Sequence, residues 1–152
     1  MPANYADLLS DDGWEPLDFS APNPNFYWHD GGFLADAPVD VEATLGGALF
    51  GTTVVDPWFQ WRPRRVKPGF TIPTCHHNLG QMVIVLDGDI EVAYGQEEGA
   101  QTIGATEFWV CEAGTPYSVT AGPQGATYVE SWDGPMALIE TYWHDDATWV
   151  RR

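Results

Sequence analysis

The residues best suited to chemistry lie in one short stretch near the middle of the chain, which contains Cys75, His77 and Gln81. Residues two apart on an extended chain point to the same side, so Cys75 and His77 share a face while His76 points away from it. Gln81 begins the next predicted strand and can return toward the pair across a turn at residues 78–80. Thiolate sulfur, imidazole nitrogen and amide oxygen are all metal donors. The spacing therefore predicts a divalent metal site.

Each predicted ligand also has a purely structural alternative. His77 could be a hydrogen-bonded histidine in a protein core, although neutral imidazole is the commonest metal ligand. Cys75 as a thiolate would favour zinc, copper or thiolate-bound iron, whereas as a thiol it is a small buried apolar residue. Gln81 is a neutral and weaker donor than a carboxylate, and it could instead bond a neighbouring strand. The residues alone leave open whether a metal binds.

The same stretch resembles the first motif of the cupin superfamily, G-x5-H-x-H-x3-E-x6-G. The corresponding positions here are Gly69, Cys75, His77, Gln81 and Gly88, and all intervals fit. Only the second histidine and the two glycines keep the residue type of the motif. The resemblance implies an all-β fold, the double-stranded β-helix or jelly-roll barrel of cupins.

A second, looser cupin motif, G-x5-P-x-G-x2-H-x3-N, resembles residues 104–121. Tyr117 falls on the position of its last metal histidine, and Ala121 replaces its final asparagine. We expect residues 41–152 to form a single cupin barrel, with residues 1–40 as an irregular N-terminal extension that packs on it.

The resemblance also implies a cofactor and a reaction. The cofactor is a divalent transition metal (iron, zinc, manganese, nickel or copper) held by Cys75, His77 and Gln81, with a metal-free protein as the alternative. Small single-domain cupins that cleave acetylacetone and dihydroxyacetophenone are similar, which suggests an oxygenase for a small aromatic, enolic or polyketide-like metabolite. The alternatives are a cyclase, isomerase or lyase in which Tyr117, Glu130 and His77 act as acid and base, and a non-enzymatic small-ligand binder. The resemblance further implies a homodimer.

Tyr128, Glu130 and Trp132 alternate on one face of a predicted strand. If that face points inward, Glu130 is a buried carboxylate among aromatic rings, and burial raises its pKa toward the range of a general base. If it points outward, Glu130 is a surface acid. We interpret the face as inward, so that Tyr128 and Trp132 contact the substrate.

Four of the six positive charges lie close together, at Arg62, Arg64, Arg65 and Lys67. Arg64 is predicted to anchor an anionic or enolic substrate, and the alternatives are an ion pair with Glu130 or an exterior basic stripe. Of the other histidines, His29 is expected on a surface or loop, and the sequence identifies no partner for His144.

Short β-type runs separated by turns dominate the chain after residue 39. The predicted strands are residues 47–55, 58–66, 82–86, 90–94, 108–111, 117–120, 127–132 and 136–143. A tight turn is expected at residues 87–89, a polar hairpin connection at 95–102 and a short helix at the C-terminal end.

Composition limits the partners. A formal net charge of −16 argues against binding to nucleic acid or to an anionic membrane surface. No apolar run has the roughly 20 residues of a membrane-spanning helix, and the N-terminus lacks the pattern of a signal peptide. Two cysteines in different motifs do not indicate a disulfide framework. We expect a cytoplasmic protein whose partner is a small-molecule substrate.

Overall fold

Ten strands form one curled sheet in the computed structural model, which describes residues 6–52, 59–94 and 99–152. The strands are β1 (Glu15–Pro16), β2 (Phe26–Trp28), β3 (Leu49–Gly51), β4 (Trp61–Val66), β5 (Thr71–His77), β6 (Gln81–Tyr94), β7 (Ala100–Gly104), β8 (Phe108–Cys111), β9 (Tyr117–Trp132) and β10 (Thr141–Trp143). One short helix, α1 (Val41–Leu45), and two 3₁₀ turns, Leu34–Asp36 and Met136–Leu138, complete the regular structure of these residues.

The sheet is organised around two long strands. Its main path runs β1-β3-β4-β9-β5-β10-β2, and β6 joins it by pairing with β9 while also pairing with β7 and β8. The β10–β2 pair is parallel, and the other named pairs are antiparallel. Strands β6 and β9, of 14 and 16 residues, therefore form the longest pair in the sheet.

Alternation along the strands separates an apolar inner face from an outer one. In β6, Val83 and Val85 are buried while Met82 and Ile84 are exposed. This period of two is expected for a strand with one covered face. The inner residues of β5, β6, β8 and β9 form one hydrophobic cluster that surrounds a cavity.

Two strand predictions were wrong because turns were expected where the chain only bends. Residues 82–86 and 90–94 belong to one strand, β6, whose register with β9 shifts near Gly88. Gly88 has φ +71°, and a Cβ on it would collide with the Gly125 carbonyl oxygen. A glycine in this conformation permits a bulge in a close strand pair rather than a hairpin. Residues 117–120 and 127–132 likewise form the single strand β9.

The chain ends differ from their predictions as well. The N-terminal segment is not wholly irregular, because β1 pairs with β3 and β2 pairs with β10. The predicted C-terminal helix is absent from the described residues 145–152, which instead include a bridge between Val39 and Arg151 and the buried Trp149. In this segment the burial of Trp149 determines the conformation more than local helix propensity does. The division of the chain at residue 40 stays a prediction.

The remaining strand predictions are confirmed in part. Strand β8 has the predicted bounds, whereas β3, β4 and β10 are shorter than predicted. Parts of the predicted strands 47–55 and 58–66, and of the connection 95–102, lie outside the described residues. Within the described part of the chain, no helix is both long enough and apolar enough to span a bilayer.

Candidate functional site

A cavity of about 100 Å³ lies against the inner face of the sheet and is lined mainly by apolar side chains. Its polar lining residues are Arg62, Arg64, Cys75, His77, Gln81, Tyr117, Tyr128, Glu130 and Thr141. Leu17, Phe19 and Phe26, all from the N-terminal segment, are half-buried and form one wall. The N-terminal segment, which lies outside the cupin-like motifs, thus lines the same cavity as the predicted site residues.

Register between neighbouring strands places the first polar group. Cys75 pairs with Trp143 of β10 and His77 pairs with Thr141, so all four side chains point inward. A bulge between Ile72 and Cys75 lies within the motif, before its ligand positions, and leaves the alternation from Cys75 to His77 intact. The structure therefore brings Cys75 and His77 to one face, as the spacing predicts.

The second polar group comes from β9 and β6. Tyr117, the first residue of β9, pairs with Cys75, and Gln81 begins β6 opposite Trp132. The Tyr117 hydroxyl donates to Gln81 Oε1 at 2.7 Å and lies 3.0 Å from His77 Nε2. Cys75 Sγ lies 3.9 Å from the same His77 nitrogen. Cys75 Sγ and the Tyr117 hydroxyl thus both contact His77 Nε2, and Gln81 joins them through Tyr117.

His77 is held by hydrogen bonds at both ring nitrogens. Its Nδ1 lies 3.0 Å from Thr141 Oγ1, and its ring meets Trp132 edge-on at a centroid distance of 4.7 Å. If Nε2 carries the proton, Thr141 donates to Nδ1, Nε2 donates to Tyr117 and Tyr117 donates to Gln81, so the chain is closed. If Nδ1 carries the proton, it donates to Thr141 and leaves the Nε2 lone pair facing Cys75 Sγ and the Tyr117 hydroxyl. The second tautomer is the one in which histidines bind metals.

Burial sets the protonation of these groups. Desolvation lowers the pKa of His77 to about 4, against the opposing effect of Glu130, so the ring is neutral near pH 7. Desolvation raises the pKa of the Cys75 thiol to about 12 and holds the pKa of Tyr117 well above its usual value. All three groups are therefore neutral in the protein without a metal.

The donor set fits a soft or borderline divalent ion. Zinc lies roughly 2.3 Å from thiolate sulfur and roughly 2.1 Å from imidazole nitrogen, and the 3.9 Å between Cys75 Sγ and His77 Nε2 is shorter than the sum of the two. No cluster of three His, Cys, Asp or Glu side chains suited to a metal occurs among the described residues. Gln81 and Tyr117 would have to supply the remaining oxygen donors.

An ionic group lies beside these donors. Glu130 Oε2 is 3.0 Å from Arg62 Nη2, and Glu130 Oε1 is 3.7 Å from Arg64 Nε. The inward orientation of Glu130 is as interpreted from the sequence, but the prediction of a raised pKa was wrong. Burial raises the pKa of Glu130, and the attraction of Arg62 and Arg64 outweighs it, so the pKa lies below its usual value. Glu130 is an ionised partner of two guanidinium groups rather than a poised base.

The predicted substrate contacts divide between the cavity and the layer behind it. Arg64 and Tyr128 line the cavity. Trp132 is buried against His77, and the Arg62 guanidinium lies 5.4 Å from its ring centroid. Sequence reasoning missed the cavity residues Trp109 and Trp143, although the inward parity of strands β8 and β10 was a signal that could have found them.

The outer face carries a separate histidine group. His76 Nδ1 lies 2.7 Å from His144 Nε2, and the His76 ring stacks on Tyr142 at 4.9 Å. His29 is exposed, and its ring stacks on His144 at 5.4 Å. His144 thus has partners that the sequence did not identify, and His76 points away from the cavity as its parity predicts.

No protein-family model matches this sequence, and curated proteins give no match either. Solved structures do match. A deletion mutant of oxalate decarboxylase from Bacillus subtilis has 19% identity, covers 72% of this chain and 30% of its own, and superposes with a TM-score of 0.54. A point mutant of the same enzyme has 18% identity, coverages of 63% and 28%, and a TM-score of 0.52. A DMSP lyase from Ruegeria pomeroyi has 13% identity, coverages of 55% and 43%, and a TM-score of 0.48. The chain spans less than a third of the length of the oxalate decarboxylase chains that it matches.

Proposed function

The chain has the all-β cupin fold, and on that premise we propose that it is a metal-type cupin enzyme acting on a small organic molecule in the barrel cavity. The observation that supports this most is the contact of Cys75 Sγ and the Tyr117 hydroxyl with His77 Nε2, with Gln81 joined to the group through Tyr117. Cavities with a few convergent polar groups in apolar walls are the usual sites of small-molecule chemistry. The decarboxylase matches support the fold, and the reaction is our proposal.

In this proposal Cys75, His77 and Gln81 hold the ion, with the Tyr117 oxygen as a further donor. Thiolate and imidazole favour zinc, copper or iron over manganese or magnesium. The bound ion would act as a Lewis acid toward a substrate oxygen. Thr141 fixes the His77 ring by accepting from Nδ1, and the aromatic walls exclude water from the reacting atoms.

A second candidate is a metal-free cyclase, isomerase or lyase, which the closed hydrogen-bond chain in the Nε2–H tautomer favours. A substrate oxyanion that replaces Gln81 as acceptor takes the proton from Tyr117. The His77 N–H then stabilises the phenolate that is left, and the ionised Glu130 holds Arg62 and Arg64 in place. Here His77 is a hydrogen-bond donor, since its pKa of about 4 makes it a weak base.

Metal analysis of the purified full chain tests the proposal. We expect about one transition-metal ion per chain, lost in Cys75→Ala and His77→Ala and retained in His76→Ala, whose side chain lies on the outer face. Nitrogen-15 NMR of His77 adds a readout independent of turnover: the loaded protein should carry the proton on Nδ1. Full turnover by metal-free protein with the proton on Nε2 would overturn the metal proposal in favour of the second candidate.

The oxygenase activity expected from the resemblance is a finer form of the metal proposal. It requires dioxygen consumption in step with substrate loss, which an oxygen electrode measures. Turnover without oxygen consumption contradicts it and leaves the coarser proposal standing. Binding without any turnover would favour the small-ligand binder instead.

The homodimer and the cytoplasmic location also remain proposals. Met82 and Ile84 of β6 and Phe108 and Val110 of β8 are 37%, 37%, 61% and 60% exposed on the outer face of paired strands. The four positions are uncharged in a chain of net charge −16, so a second copy would meet least repulsion there. Sedimentation should give twice the 16.8 kDa chain mass, and Phe108→Glu should restore a monomer. A wild-type monomer would contradict the dimer.

A further inference from the structure

Hydrogen-bond donors exceed acceptors around the cavity. Among the described residues, three donor atoms of cavity-lining side chains are buried without an acceptor: Arg62 Nε, Trp109 Nε1 and Trp143 Nε1. Both tryptophans are about 95% buried, at 5% and 4% exposure. An unmade hydrogen bond to a buried polar group costs roughly 1–3 kcal/mol. The cavity is thus organised for a ligand that brings acceptors.

The charged side chains around the cavity also favour a ligand that brings acceptors. Arg62 and Arg64 face the single carboxylate of Glu130, which leaves one positive charge in excess in this group. Arg64 is the better shielded of the two, with 14% of its side chain exposed against 34% for Arg62. Its one hydrogen bond among the described residues is from Nη1 to the Pro63 carbonyl. A buried guanidinium without a full set of acceptors is stabilised by an anion.

The rest of the wall is apolar. Leu17, Phe19, Phe26, Leu49, Ile72 and Val83 line it, and the rings of Phe19 and Phe26 stack at 6.4 Å. A fully polar ion such as phosphate would leave this surface uncovered. An apolar body attached to the anionic group would cover it and gain about 25 cal/mol for each Å² removed from water.

We propose that the cavity binds a small organic carboxylate with an apolar body and a second acceptor oxygen, the carboxylate at Arg62 and Arg64 and the second oxygen at the Trp109 and Trp143 N–H groups. The inference deepens the proposed function by naming its substrate class, and it requires only that the cavity is the binding site. The acidic surface would slow entry of such an anion, so association should quicken with added salt.

Equilibrium binding of matched pairs tests the class without knowledge of the natural substrate. The probes are butanoate with butanamide and benzoate with benzamide, which differ in charge and hardly in shape, measured by calorimetry on metal-loaded and chelator-treated full chain. We expect the carboxylate of at least one pair to bind about tenfold to a hundredfold tighter, the range for a charge-assisted hydrogen bond. Equal or tighter binding of the amides, or no binding by either pair, overturns the proposal.

Variants locate the preference. Arg64→Met should abolish it, whereas Arg65→Met, which removes the same charge from the outer face of the same strand, should retain it. If Arg64→Met does not fold, Arg62→Met gives the same comparison. A preference that survives both inner variants overturns the assignment to these guanidinium groups.

The second oxygen is tested by 2-oxobutanoate against butanoate. The keto acid should bind more tightly to the wild-type chain and lose that advantage in Trp143→Phe combined with Trp109→Phe. An unchanged advantage would contradict the role of the indole donors. Loss of metal binding or turnover would leave these equilibrium comparisons intact, so failure of the proposed function and failure of this inference are distinguishable.

Discussion

Adjacent histidines on β5 have opposite surroundings. His77 points inward, where it is 9% exposed and bonded to Tyr117 and Thr141. His76 points outward, where it is partly exposed and shares a hydrogen bond with His144. Burial lowers the pKa of both imidazoles, and on the inner side of the sheet the pKa of His77 falls to about 4. Strand parity therefore decides which histidine can serve the cavity.

Strand β4 repeats the contrast with arginines. Arg62 and Arg64 face the cavity with one carboxylate between them. Arg65, on the outer face, donates to Asp11 and to backbone carbonyls of the N-terminal segment, and its guanidinium stacks on Trp14 at 4.5 Å. Arg65 therefore joins the N-terminal segment to the sheet. The inner pair instead retains N–H groups that lack an acceptor among the described residues. The inner face is the one that we propose binds a ligand, whereas the outer face stabilises the fold.

The largest expected effect that separates the faces is the pH dependence of stability. His77 has a pKa of about 4 in the folded chain and 6.5 as a free group, so the unfolded state binds more protons between these values. The stabilisation is complete above pH 6.5, falls as the pH decreases, and is fully lost below pH 4. The free energy of unfolding of the metal-free chain should drop by on the order of 3 kcal/mol from this group.

Urea unfolding at several pH values measures this drop. His77→Gln should flatten the curve between pH 6.5 and 4, whereas the matched outer change His76→Gln should alter it less. The charged or titratable side chains that act on His77 are Glu130, Arg62 and His76, and His76→Gln removes the last of these. An NMR titration in which His77 protonates near pH 6.5 would contradict the predicted contribution of this histidine to the pH dependence of stability.

The next effect comes from the ion pairs. Glu130→Gln leaves Arg62 and Arg64 without their counter-ion, and we expect the free energy of unfolding to fall by about 2 kcal/mol, because a buried pair that loses one partner leaves uncompensated charge. Partial exposure of Arg62 keeps the loss below that of a fully buried pair. The matched outer change Asp11→Asn breaks the pair with Arg65 at a fully exposed carboxylate and should leave the free energy of unfolding nearly unchanged. Thermal denaturation measures the loss of stability in both variants. Equal losses would contradict the difference between the inner and outer ion pairs.

Much of the inner face was predictable from the sequence because it depends on periods of two. The alternation placed Cys75 and His77 together, turned His76 outward and turned Glu130 inward, and the motif spacing indicated the cupin fold. These inferences need only local parity, which the bulge between Ile72 and Cys75 does not disturb because it comes before the ligand positions. The roles of these residues stay predictions.

What the sequence could not supply depends on register between distant strands. The lowered pKa of Glu130 requires Arg62 directly across from it in the β4–β9 pair. The His76–His144 contact requires β10 to lie beside β5, and the wall formed by Phe19 and Phe26 requires the N-terminal segment to reach the cavity. The long strands β6 and β9 were missed because a glycine bulge and a hairpin turn share the same residue types.

The smallest expected effect concerns neighbours on β10. Thr141→Val keeps the side-chain shape and removes the hydrogen bond to His77 Nδ1, which should cost about 1 kcal/mol and shift the His77 proton between its two nitrogens. Tyr142→Phe removes a bond of similar length on the outer face, from the Tyr142 hydroxyl to Glu140, where water replaces the lost partner and the cost should be a few tenths of a kcal/mol. Chemical denaturation compares the two, and nitrogen-15 shifts of His77 should change in the first variant only. A change of His77 shifts in Tyr142→Phe would show that the outer face also controls the inner imidazole.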